Sequence, residues 1–247
     1  MKDAGGNAAR ETILARIREA LRLPAPLPHL SAHAAAPQAA AGGGLPQLAV
    51  LPAEAARPWL PDGGDTPADQ RRILVDNLGK LRAVVEQVPD VAAAAACIRA
   101  LAAERGWKRV ACHRHPLLEA ALAGLPCDAH PVDRPGTGFD KDALEACDAG
   151  VTVCEAIVAQ TGSILVSSGS CGGRALSILP HVHIVVATAD QVTGTLGDAL
   201  HVIRERHGGR LPSMLSFITG PSRTGDIERI LVLGAHGPKE LFLILVG

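Results

Sequence analysis

Aromatic residues are scarce in this chain: they make up 2% of it, and tyrosine is absent. Single-stranded nucleic acid is gripped by stacking bases on aromatic rings, so this scarcity argues against such a platform. Neither sign of charge dominates. There are 24 Lys and Arg against 25 Asp and Glu, a net charge of −1, which leaves no electrostatic footprint for nucleic acid or an anionic membrane. Long apolar runs are missing as well. Apolar runs such as 230–233 and 241–246 fall far short of the roughly 20 residues that span a bilayer. The opening residues Met1-Lys2-Asp3-Ala4-Gly5-Gly6 lack the apolar core of a secretory signal. The expectation is a cytoplasmic protein with neither membrane nor nucleic acid as partner.

The six cysteines, at 97, 112, 127, 147, 154 and 171, form no C-x-x-C pair. Their spacing fits neither an iron–sulfur nor a zinc pattern, so no metal is expected and the cofactor is left unknown. They read as small buried hydrophobes, with Cys154 and Cys171 flanking the stretch where polar chemistry gathers.

What the chain does have is aliphatic side chains. With 47% hydrophobic residues, many of them alanine, the core must rest on Val, Ile and Leu, which suits parallel strands covered by helices. Ile13, Leu14, Ile17 and Leu21 make one helical stripe, so 1–22 is expected to be an N-terminal helix. Residues 23–68 carry half of the eighteen prolines together with Gly42-Gly43-Gly44 and Gly63-Gly64, and read as a Pro/Ala/Gly-rich tether. An α/β domain is expected over 69–247.

Within that domain, helical spacing runs over 70–88, and Asp90 can cap an Ala-rich helix over 91–104 that ends at Gly106. Strands are expected at 108–112, 126–130, 149–154, 163–167, 181–187 and 214–219. Helices are expected at 115–123, 140–146 and 196–206, with a helical turn at 155–160. This alternation predicts one mixed or parallel sheet with helices on both faces. Two closing strands, 230–233 and 241–246, lie near enough in sequence to pair as an antiparallel edge hairpin.

Polar chemistry collects in three loops. Thr161-Gly162-Ser163 offers a tight turn with two hydroxyls beside backbone N–H groups, a place for a carboxylate or phosphate oxygen or an ordinary connection. The Gly-rich loop 167–173 ends in Gly173 and Arg174, where a guanidinium suits a bidentate anion contact or a structural ion pair. In the stretch 220–228, Ser222 or Thr224 can cap a short helix, and Asp226 and Glu228 suit its positive end. Arg223 is unfavourable there unless it meets an anion, either one of those acids or a ligand. His236 stands in a turn between Gly234 and Gly237-Pro238, and histidine is the side chain suited to proton transfer near neutrality. His181 and His183 share a strand face, but no third metal ligand is identifiable.

The motifs Ala159-Gln160-Thr161-Gly162-Ser163, Gly173-Arg174-Ala175-Leu176-Ser177-Ile178-Leu179-Pro180, Thr219 through Glu228 and Leu233-Gly234-Ala235-His236-Gly237-Pro238-Lys239-Glu240 occur in an order that resembles the lactate-utilisation protein C family, built on the LUD domain. The resemblance implies a three-layer α/β/α fold with a mostly parallel sheet, similar to the ribose-5-phosphate isomerase, glucosamine-phosphate deaminase and CoA-transferase group. It implies a place in oxidation of L-lactate to pyruvate beside iron–sulfur partner proteins. The three anion-suited loops suggest a site for such a role, in which Arg174 and Arg223 would hold a small carboxylate or an anionic cofactor and His236 would take a proton. By analogy with the same fold group, a stand-alone enzyme on a phosphorylated sugar, folate or CoA ester would use Glu155 as its nucleophile. A third reading is a non-catalytic adaptor that recruits partners through its N-terminal helix and tether.

Overall fold

The computed structural model describes residues 4–20, 60–132, 140–208, 211–224, 232–234 and 236–247. It divides into two compact units, Met1–Leu45 and Pro46–Gly247. The described part of the first is a single helix, α1 (Ala4–Ala20), with Ile13 exposed. Leu21 and most of the proline-rich stretch lie outside the described residues.

The second unit begins, among the described residues, with a segment that packs against its own domain. Gln160 Nε2 donates to the Pro61 carbonyl at 2.7 Å, and Gly63 lies so close to Gly194 that a Cβ would sit 2.6 Å from its oxygen. Thr66 then caps α2 (Pro67–Lys80), its hydroxyl accepting from Asp69 N at 3.2 Å. Chain order continues β1 (Val84–Val88), α3 (Val91–Arg105), β2 (Arg109–Cys112), α4 (Pro116–Ala121), β3 (Asp128–Pro131), α5 (Lys141–Glu145), β4 (Ala149–Thr152), β5 (Ala156–Val158), β6 (Ser163–Ser167), β7 (Val182–Thr188), β8 (Val192–Thr193), α6 (Leu196–Arg206), β9 (Leu215–Ile218), β10 (Arg223–Thr224), β11 (Val232–Leu233) and β12 (Glu240–Val246).

Six strands form a wholly parallel sheet in the order β1-β12-β7-β4-β2-β3. Successive side chains leave opposite faces. Val110 and Val151 join Ala94, Ile98 and Leu118 of α3 and α4 in one cluster. Ala111, on the other face, packs with Leu144 of α5, Cys147 just after it, and Leu176 of the 3-10 turn Ala175–Ser177. Helix, sheet and helix therefore make three layers. Gly150 lets that 3-10 turn approach the sheet, because a Cβ there would lie 2.5 Å from the Leu176 carbonyl oxygen.

Four features depart from the expectations. The helix expected over 70–88 stops at Lys80, because Arg82 takes φ 66° without being glycine, and the β-branched Val84 and Val85 begin an edge strand. The helical turn expected at 155–160 is strand β5, paired antiparallel to β6. The sheet is not single: β8-β5-β6-β9 form a second, mixed sheet, and β10-β11 a small antiparallel ribbon. The edge hairpin is absent too, since β12 runs parallel between β1 and β7 inside the large sheet, and β11 pairs with β10 instead. A run apolar at every position, as in Leu241-Phe242-Leu243-Ile244-Leu245-Val246, is buried on both faces, which an edge strand cannot offer.

Candidate functional site

All six strands of the large sheet point the same way, so the domain has an amino end and a carboxyl end, each with its own cleft. At the amino end, the loop after β9 and the loop before β12 lock together through backbone hydrogen bonds. Ser222 N donates to Pro238 O at 2.8 Å, Gly234 N to Ser222 O at 3.0 Å, and Lys239 N to His181 O at 2.8 Å. The Ser222 hydroxyl accepts from His236 N at 3.3 Å and so fixes the turn that carries the imidazole. Beside it opens a cleft of about 390 Å³, with Arg174, His236, His181 and Glu145 on its wall.

Two motif loops distant in sequence thus bring Arg174 and His236 to one cleft, both exposed to it. Gly173, at φ 84°, turns the chain just before Arg174, and Ser177 Oγ donates to the Arg174 carbonyl at 3.0 Å. Among the described residues no carboxylate forms an ion pair with Arg174.

The remaining anion-suited residues have other tasks or lie elsewhere. Thr161-Gly162-Ser163 is the turn between β5 and β6, seated on α2. Asn77 Nδ2 donates to the carbonyls of Ala159 and Gln160 at 2.8 and 3.2 Å, and Gly162, at φ 62°, lies close to Asn77 and Leu81. Its hydroxyls bond to one another at 2.7 Å and onward from Ser163 to Thr219 at 2.8 Å. Arg223 and Thr224 form β10; Arg223 is exposed and is not among the residues on the wall of the Arg174 cleft. The Thr224 side chain, Asp226 and Glu228 lie outside the described residues.

Glu155 sits at the opposite end, just past the carboxyl end of β4, fully buried. Its Oε1 accepts from Ser167 Oγ at 2.6 Å and from Ser170 Oγ, and lies 3.2 Å from His207 Nε2. Its Oε2 pairs with the Arg206 guanidinium, which also donates to the Glu155 carbonyl at 3.2 Å. Burial opposes the charge and is the largest single influence on this carboxyl. The hydrogen bonds from Ser167, Ser170, Arg206 and His207 together outweigh it and hold the pKa down at about 2. Both oxygens are engaged, so in this arrangement Glu155 presents no open oxygen for attack on a carbonyl.

That network forms one wall of a second cleft, of about 610 Å³, at the carboxyl ends of the neighbouring strands β2, β4 and β7. Open α/β sheets place ligands in such crevices. Arg206, His115, Asp190 and Gln191 are wall residues that no local motif announces. Gln191 is anchored: Nε2 donates to Cys154 O at 2.7 Å, and Oε1 accepts from Thr188 N at 2.9 Å. The signal that leads to Arg206 is Glu155 itself, a lone charge within the apolar run from Val151 to Val158, which requires a cation or several donors when buried. Burial pushes the neighbouring Cys154 thiol well up, so it remains protonated. Among the described residues no cluster of His, Cys, Asp or Glu is arranged to hold a metal ion.

A parallel sheet between helical layers, with polar loops gathered at its two ends, defines a three-layer α/β/α protein. The chain belongs to the LUD-domain family, which its residues 72–246 match. It is 29% identical over 198 residues to lactate utilization protein C of Geobacillus kaustophilus, covering 76% of this chain and 82% of that one. It is 35% identical over 105 residues to lactate utilization protein C of Bacillus subtilis, covering 42% of this chain and 44% of that one. With Shouchella clausii lactate utilization protein C the figures are 37% over 103 residues, 41% and 45%. The matched stretch is thus less than half the length of these last two relatives. Among solved structures, a DUF162-family protein from Deinococcus radiodurans shares the fold, with a TM-score of 0.57 and 24% identity over 74% of this chain and 99% of that one.

Proposed function

We propose that this protein takes part in lactate utilisation, as a component of a system that oxidises L-lactate to pyruvate beside iron–sulfur partner proteins. The observation that carries the reading is the similarity to relatives named lactate utilization protein C, which extends over 82% of one of them. The amino-end cleft supplies a chemistry that suits it. Arg174 gives a small carboxylate a cation and up to two parallel N–H donors, while His236, its loop fixed by Ser222, is placed to accept a proton from a neighbouring hydroxyl. Oxidation of L-lactate to pyruvate releases two electrons and two protons; His236 would take the hydroxyl proton, and the hydrogen on the α-carbon would leave with the electron pair to an acceptor that the iron–sulfur partner proteins reoxidise.

The site is tested by titrating purified protein with L-lactate and with pyruvate in a calorimeter. Arg174→Ala is expected to weaken binding by about tenfold or more, the scale of one charge-assisted hydrogen bond, with an unchanged melting temperature. Equal affinity in wild type and variant removes Arg174 from the site.

A further inference from the structure

The carboxyl-end cleft is built differently from the one at the amino end. At about 610 Å³ it falls in the range of pockets that enclose cofactor-sized or drug-sized molecules, and a three-carbon acid would leave most of it to water. One part of its wall is apolar, from Pro116, Leu117 and Val153. The rest is polar and held in place from behind. Arg206 is gripped by the buried Glu155 carboxylate and by the Glu155 carbonyl. Ser170 is tied to the same carboxylate. His115 Nδ1 accepts from Leu117 N at 3.2 Å, which leaves the proton of the neutral ring on Nε2 as a donor. A buried, ionised carboxylate is costly to maintain, and here its partners extend onto the cleft wall.

Charge narrows the ligand. Arg206 and Glu155 cancel one another, and the Asp190 carboxylate remains over. Among the described residues Asp190 makes no hydrogen bond or ion pair, and it is exposed. A wall of this kind repels a free anion. It suits a neutral molecule that gives hydrogen bonds to Asp190, accepts them from Arg206 and His115, and lays a flat apolar face on Pro116, Leu117 and Val153.

We propose that this cleft is a separate binding site for a neutral, hydroxylated heterocycle of nucleoside size, with Asp190 receiving its hydroxyl groups. The proposal is independent of the carboxylate site, which lies at the other end of β4 and β7. The test is calorimetric titration of the full chain and of Asp190→Asn with adenosine and with riboflavin, two neutral probes of this chemistry, and with L-lactate as a control. At least one neutral probe is expected to bind wild type, and Asp190→Asn to weaken it about tenfold, the effect of removing a charged acceptor. The exposed Asp190 bears no packing load, so equal melting temperatures without ligand confirm that the variant is folded. No binding of either probe overturns the proposal, as does equal affinity in wild type and variant. Lactate binding that depends on Asp190 would also overturn it, whereas lactate binding that depends on Arg174 alone leaves the two sites distinct.

Discussion

Glu155 carries its negative charge where solvent does not reach, and it does so because four side chains surround it with donors. The consequence is a pH dependence with a defined sign. A carboxyl lowered from its ordinary range to about 2 contributes stability that is fully present above pH about 4.5 and is lost as pH falls towards 2. His183 acts in the adjoining window. Enclosed between the strands with Nδ1 unpartnered and Nε2 2.9 Å from Thr152 Oγ1, it is held by burial at about 4. Between pH about 6.5 and 4 the unfolded chain therefore takes up a proton that the folded one refuses, and stability again declines as pH falls. Denaturant melts at stepped pH are expected to show continuous loss of stability from about pH 6.5 down to pH 3. Glu155→Gln is expected to cost about 1–2 kcal/mol at pH 7, because the Ser167 and Ser170 hydroxyls lose a charged acceptor while water takes up the half-exposed Arg206, and to flatten the part of the profile below pH 4.5. An unchanged acid slope in that variant would contradict the role given to Glu155.

At the scale of elements, Gly150 is the position where β4 admits the turn at Ala175–Ser177, and with it the route of the chain from the Gly-rich loop to Arg174. Gly150→Ala places a methyl against backbone rather than against a yielding side chain, so a loss of about 1–3 kcal/mol is expected in denaturant melts, as for overpacking a core. A loss below 0.5 kcal/mol would show that the turn gives way freely. The same scale explains what was legible in the sequence. Caps were readable: Asp90 begins α3 and Gly106, at φ 62°, ends it, and α6 keeps the bounds expected for it, 196–206. The β1 strand was not, because Leu81, Val84 and Val85 continue a helical spacing and the break falls on an arginine rather than a glycine. The place of β12 was hidden by nearness in sequence to β11, although its uninterrupted apolar run already carries the signature of a central parallel strand. Of the candidate site, the motif loops marked Arg174 and His236, but the sheet alone shows that they share a cleft while Glu155 stands at the far end. Arg206, His115 and Asp190 come together only through tertiary folding, and no spacing in the sequence records that.

Across the whole molecule, the pattern is a parallel sheet with one small, cation-bearing cleft at its amino end and a larger, mixed one at its carboxyl end. No helix among the described residues is long and apolar enough to cross a membrane. The protein's place in lactate utilisation is tested most directly by growth on L-lactate as the sole carbon source. A strain lacking this gene is supplied with the wild-type chain or with Arg174→Ala, protein levels being matched. Growth is expected to fail without the gene, return with wild type, and remain at least severalfold slower with Arg174→Ala. Full growth of the strain lacking the gene would contradict the account.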